Sequence, residues 1–166
     1  MNMSVLWILA ACQVGERVME IDEPVDSVHL RMSSGEIEVV SVEREGVRIE
    51  HEGWCSGEGL ALDGGGLFYG ADQDCGGELY VEVPLGTPVS VCLDRGEVFV
   101  ELGAVSDVDV CTAAGEIDLV VPSGDYLLDL DMGAGELSTS GVAHSEAAEH
   151  RIRATLAAGE LSISGI

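Results

Sequence analysis

Five cysteines, four histidines and thirty-one acidic residues are the side chains of this chain able to do chemistry. The cysteines are Cys12, Cys55, Cys75, Cys92 and Cys111, and no two stand in a Cys-x-x-Cys pair. A zinc ribbon or a thioredoxin-like site is therefore not expected. Nucleophilic catalysis needs a serine or cysteine beside a histidine and an orienting acid. No Gly-x-Ser-x-Gly elbow occurs, and His29, His51, His144 and His150 are scattered, so no catalytic residue is assigned. His144, Glu146, Glu149 and His150 do not follow His-Glu-x-x-His order, which favours a solvated loop over a zinc site. Asp72-Gln73-Asp74 begins like a calcium loop but lacks the later acids. No metal ligand or cofactor is assigned. Seven aromatic residues offer little platform for sugar stacking, although thirty-one acids guarantee chance carboxylate pairs.

The bulk charge narrows the partners. The formal net charge is −24, with seven arginines and no lysine. Such a field repels nucleic acid and anionic headgroups, and the missing lysine removes Walker-type and Schiff-base chemistry. Hydrophobic residues make up 46% and aromatics 4%, so the core is mostly Val, Leu and Ile, which suit strands.

The elements that position these side chains come from a repeat. Gly, then Glu, then an apolar residue recurs at Gly35, Gly77, Gly96, Gly115, Gly135 and Gly159, with a weaker instance at Gly57. The steps between successive glycines are 22, 20, 19, 19, 20 and 24 residues. Apolar residues two and four places past the glycine, such as Ile117 and Leu119, point to one face. Those seven, five and three places before it, such as Val89, Val91 and Leu93, do the same. Ser90, Asp109, Asp129 and Arg153 lie between them as a solvated face. Turn chemistry at Pro84-Leu85-Gly86-Thr87 and Pro122-Ser123-Gly124-Asp125 joins the runs. The repeat glycine is expected at positive φ, at a corner where a Cβ would clash.

Repetition at a fixed period predicts in-register stacking. The expected fold is an all-β, single-stranded parallel β-solenoid (β-helix) of about seven rungs with a period near 20 residues. An antiparallel sandwich is the rival, because short strands every 8–12 residues suit one too. Residues 53–77 read as a degenerate rung or loop, and residues 143–150 as a surface bulge with room for one helical turn. Cys92 and Cys111 each stand four places before their glycine, so stacking would set them within disulfide reach. Cys55 and Cys75 would close the irregular loop. Glu97, Glu116, Glu136 and Glu160 should form an acidic column, solvated or bridged by a hard cation such as calcium.

At the amino end, Leu9-Ala10-Ala11-Cys12 closes a short apolar run. It resembles a bacterial lipoprotein signal, which implies residues 1–11 as signal, lipidation at Cys12, a linker over 12–19 and the repeat domain over 20–166. The run is too short to span a bilayer. The Gly-Glu-apolar units and Val-Pro-x-Gly turns behind it resemble the bacterial adhesin-like β-solenoid domains of unknown function. That resemblance implies an exported, lipid-anchored, non-catalytic structural or adhesion module of the cell envelope. Its membrane contact would be through the lipid only, and its partner an envelope protein or glycan. The alternatives are a carbohydrate-active enzyme and a calcium-dependent surface protein.

Overall fold

The computed structural model describes residues 15–56, 59–70 and 74–166. Twelve strands follow one another: β1 (Gly15–Ile21), β2 (Ser27–Met32), β3 (Ser34–Val42), β4 (Val47–Cys55), β5 (Leu60–Asp63), β6 (Gly66–Tyr69), β7 (Cys75–Pro84), β8 (Val89–Glu101), β9 (Val108–Val121), β10 (Gly124–Ser140), β11 (Val142–His144) and β12 (Arg151–Gly165). Period-two alternation sets the faces. In β9, Val108, Val110, Thr112, Ile117, Leu119 and Val121 are buried while Asp109, Ala113, Ala114 and Glu116 are exposed.

The all-β class stands, but the single-stranded parallel β-solenoid does not. The strands form one mixed twelve-stranded sheet, ordered β1-β4-β7-β3-β8-β9-β12-β10-β11 along its main path. Two findings overturn the simple stack. First, β1 pairs antiparallel with β4, β4 with β7, and β5 with β6. The run Val47, Ile49, His51 continues its alternation without a Gly-Glu corner, so β4 crosses straight over and closes on β7. Second, strands consecutive in sequence are not always neighbours in space. β3 sits between β7 and β8, and β12 between β9 and β10.

Within the parallel part the repeat register holds. Gly35 pairs with Gly77 and Gly96, Gly96 with Gly115, Gly115 with Gly159, and Gly159 with Gly135. Gly115 has φ of 145°, and a Cβ there would lie 1.8 Å from the Gly96 carbonyl oxygen. Each corner therefore needs glycine twice over, for its dihedral and for the backbone beside it. On either side of the corner column the inward side chains enter one core of Val, Leu and Ile with Tyr69 and Tyr126. The irregular residues 53–77 contain the β5–β6 hairpin, turned at Gly64 and Gly65 with φ of 58° and 86°. The bulge after Ser140 holds the short β11 and a turn, with no helix.

Candidate functional site

The outward positions before the corner make one continuous row. Phe68 pairs in register with His29, His29 with Ser90, Ser90 with Asp109, Asp109 with Arg153, and Arg153 with Asp129. The middle of this row opens into a groove of about 520 Å³, lined by residues of β2, β8, β9, β10 and β12, among them Ser27, His29, Ser90, Asp109 and Arg153, with His150 from the loop before β12. His29 stacks on Phe68 with ring centroids 4.6 Å apart and planes 8° apart, and its Nε2 lies 3.0 Å from Ser27 Oγ. Arg153 Nε donates to Asp129 Oδ2 at 2.9 Å. Asp107 Oδ1 accepts the Arg151 N–H at 2.9 Å and stands 3.5 Å from His150 Nδ1. Donors and acceptors alternate along the row, which suits recognition of a polyhydroxylated or polar ligand.

The Ser27–His29 pair was not anticipated from sequence. Its signal was the i, i+2 spacing on one strand face, which puts hydroxyl and imidazole side by side. Among the described residues no carboxylate hydrogen-bonds His29, so the third member of a triad is missing. His144 and His150 do not meet at a metal. His144 Nδ1 accepts the Leu128 N–H at 3.2 Å, while His150 turns to Asp107. Among the described residues, no group of three His, Cys, Asp or Glu is arranged to hold a metal ion. Asp72 and Gln73 lie outside the described residues, and the Asp74 N–H bonds to Ser56 Oγ at 2.9 Å.

The acidic column is longer than its four expected members. Glu97 pairs with Glu116, Glu116 with Glu160, and Glu160 with Glu136, so Glu160 precedes Glu136. On the other side Glu36, Glu78, Glu52 and Glu16 continue it. All eight are exposed, and like charges opposite one another repel.

Both cysteine pairs are joined. Cys55–Cys75 has a Cα separation of 4.0 Å and Cys92–Cys111 one of 4.6 Å. Against the first lies a buried polar cluster. His51 and Tyr69 are 1% and 0% exposed. His51 Nε2 stands 3.1 Å from the Gly76 carbonyl oxygen and donates to it; Nδ1 then accepts the Tyr69 hydroxyl proton at 2.8 Å. That hydroxyl is also 3.6 Å from Cys55 Sγ. Burial pushes the His51 imidazole below its ordinary pKa and the Tyr69 phenol up to about 12. In β4 the alternation Val47, Ile49, His51 puts this histidine on the inner face. Its partner Tyr69 comes from the hairpin, which the repeat does not describe. Cys12 and the segment around it lie outside the described residues. Among the described residues no helix is long and apolar enough to cross a membrane.

No protein-family model matches the chain, and no curated protein matches it by sequence. Among solved structures it is similar to a candidate cell adhesion protein from Clostridium sporogenes, at 10% identity and a TM-score of 0.47, covering 92% of this chain and 99% of that one.

Proposed function

We propose that this chain is the non-catalytic binding module of an exported protein, structural or adhesion-like, held at the cell envelope through a lipid on Cys12. The observation that supports binding is the groove along the outward row between His29 and Arg153. It is of ligand size, and its polar side chains come from β2, β8, β9 and β12 of a disulfide-locked sheet, with Asp107 and His150 from the adjoining loops. The two disulfides favour an oxidising compartment. The Ser27–His29 pair favours acyl transfer as a second reading, but among the described residues no carboxylate hydrogen-bonds the imidazole.

The test is adhesion of particles coated with the chain to purified envelope polysaccharides and envelope proteins. Asp109→Ala with Arg153→Ala should abolish capture while the fold, followed by circular dichroism, is kept. Undiminished capture by that variant would sink the groove as the site. Turnover of simple esters that disappears in Ser27→Ala would replace the binding module with a hydrolase. For the anchor, Cys12→Ser should move the protein from the detergent phase to the aqueous phase.

A further inference from the structure

β10 is the outermost long strand of the parallel part, and the described residues cover its free side over only a short stretch. β11 pairs with Gly124, Asp125 and Tyr126. The next donor that points to this side, the Leu128 N–H, is capped by His144 Nδ1. From Asp129 to Ser140 no described strand covers it. By strand alternation, Leu130 and Met132 present their backbone groups the same way as Leu128.

The core is open along the same stretch. Leu128, Leu130, Met132, Leu137 and Thr139 pair with Ile152, Ala154, Leu156, Leu161 and Ile163 of β12, all of which are buried. The β10 members are half-buried or exposed, and Leu137 is 50% exposed. An uncovered edge that also carries apolar side chains invites another strand.

We infer that this edge is a two-fold interface with a second copy of the same chain, β10 against β10, antiparallel. The argument is complementarity of the strand with itself. A two-fold axis through the corner, between Ala134 and Gly135, exchanges the stretch before the corner with the stretch after it and keeps inward side chains inward. In that register Met132 faces Leu137 of the second copy and Leu130 faces Thr139. On the solvated side Asp131 faces Ser138, Asp129 faces Ser140, and Glu136 faces Gly133. No acid stands opposite an acid. Shifting the register by two residues one way sets Asp131 against Glu136; shifting it the other way moves Leu137 from Met132 to Ala134. The strand's sequence thus selects one self-pairing in which Met132 meets Leu137 and every acid meets a small or hydroxyl residue.

The size suffices. Twelve residues from Asp129 to Ser140, at about 3.3 Å each and a width of roughly 15 Å, cover about 600 Å² per partner, the lower end for a stable specific interface. Two chains of formal charge −24 repel at long range, so association strengthens as salt screens them.

The experiment is sedimentation equilibrium of the full chain at rising concentration in 0.05 M and 0.5 M sodium chloride. The expected result is a monomer–dimer equilibrium that tightens with salt. Ser138→Glu, on the solvated face, places an acid opposite Asp131 and should weaken the dimer at least about tenfold. Ser138→Arg should tighten it. Thermal melts at low concentration check that both variants keep the monomer fold. A monomer at all concentrations in both salts overturns the inference. So does a dimer indifferent to both variants, or growth into open polymers, since a two-fold contact closes.

Discussion

β10 and β12 carry nearly the same words in different places. Met132-Gly133-Ala134-Gly135-Glu136-Leu137-Ser138 lies in register beside Leu156-Ala157-Ala158-Gly159-Glu160-Leu161-Ser162. Leu161 is 1% exposed and Leu137 50%. The difference comes from order in the sheet: β12 has β9 on one side and β10 on the other, whereas among the described strands β10 has β12 alone over most of its length. Repeat position sets which face a residue takes. Only the neighbours set how deeply it is buried.

The largest effect should expose that contrast directly. In dilute monomer, Leu161→Ala should cost about 2–5 kcal/mol in a denaturant titration, because it empties a packed core site, while Leu137→Ala should cost under about 1 kcal/mol. Equal costs would mean that β10 is as enclosed as β12. Raising the protein concentration should enlarge the Leu137→Ala cost alone, if the β10 edge is the contact between copies.

Next come the two crosslinks, one in the antiparallel region and one in the parallel region. Each closes a loop of about twenty residues, so replacing either pair by serines should lower stability by about 3 kcal/mol. The Cys55–Cys75 replacement should also loosen His51 and Tyr69, visible as lost near-ultraviolet dichroism. The Cys92–Cys111 replacement should leave that signal alone.

A smaller effect follows from His51. Its folded pKa is lowered by burial, so below about 6.5 the unfolded chain takes up a proton that the folded chain resists. Stability from this group is complete above that pH and declines as pH falls through the interval down to the depressed folded value. Urea titrations at pH 7.5 and 5.5 should show the decline, and His51→Gln should flatten it.

The smallest concerns the acidic column, which runs through both regions. Glu116→Gln removes a charge between Glu97 and Glu160 and should raise the melting temperature by about 1–2 °C in dilute buffer. One molar sodium chloride should erase the gain.

The sequence told more about register than about order. The offset of four residues before the corner placed Cys92 beside Cys111, and the same counting aligned every Gly-Glu step. Order was not legible because the units are alike: each offers the same apolar alternation and the same corner, so the pattern cannot say whether Gly159 stacks on Gly135 or on Gly115. It does both. The antiparallel β1 and β4 carry alternation without the corner, and that absence was the only sign that they leave the repeat. The groove was legible only in part. Ser90, Asp109, Asp129 and Arg153 were readable as outward positions, but the Phe68–His29 stack joins residues whose elements meet only through the hairpin.

The placement of β12 also sets a timetable. β12 lies between two strands made before it. When residues 108–140 have been synthesised and residues 151–165 have not, β9 and β10 lack the strand that separates them. Their own matching corners allow them to pair with each other in the meantime. The final sheet then requires that provisional pairing to open and admit a late arrival, a non-local step that slows folding. A chain cut short before Arg151 would keep both strands yet have no means of reaching the finished arrangement.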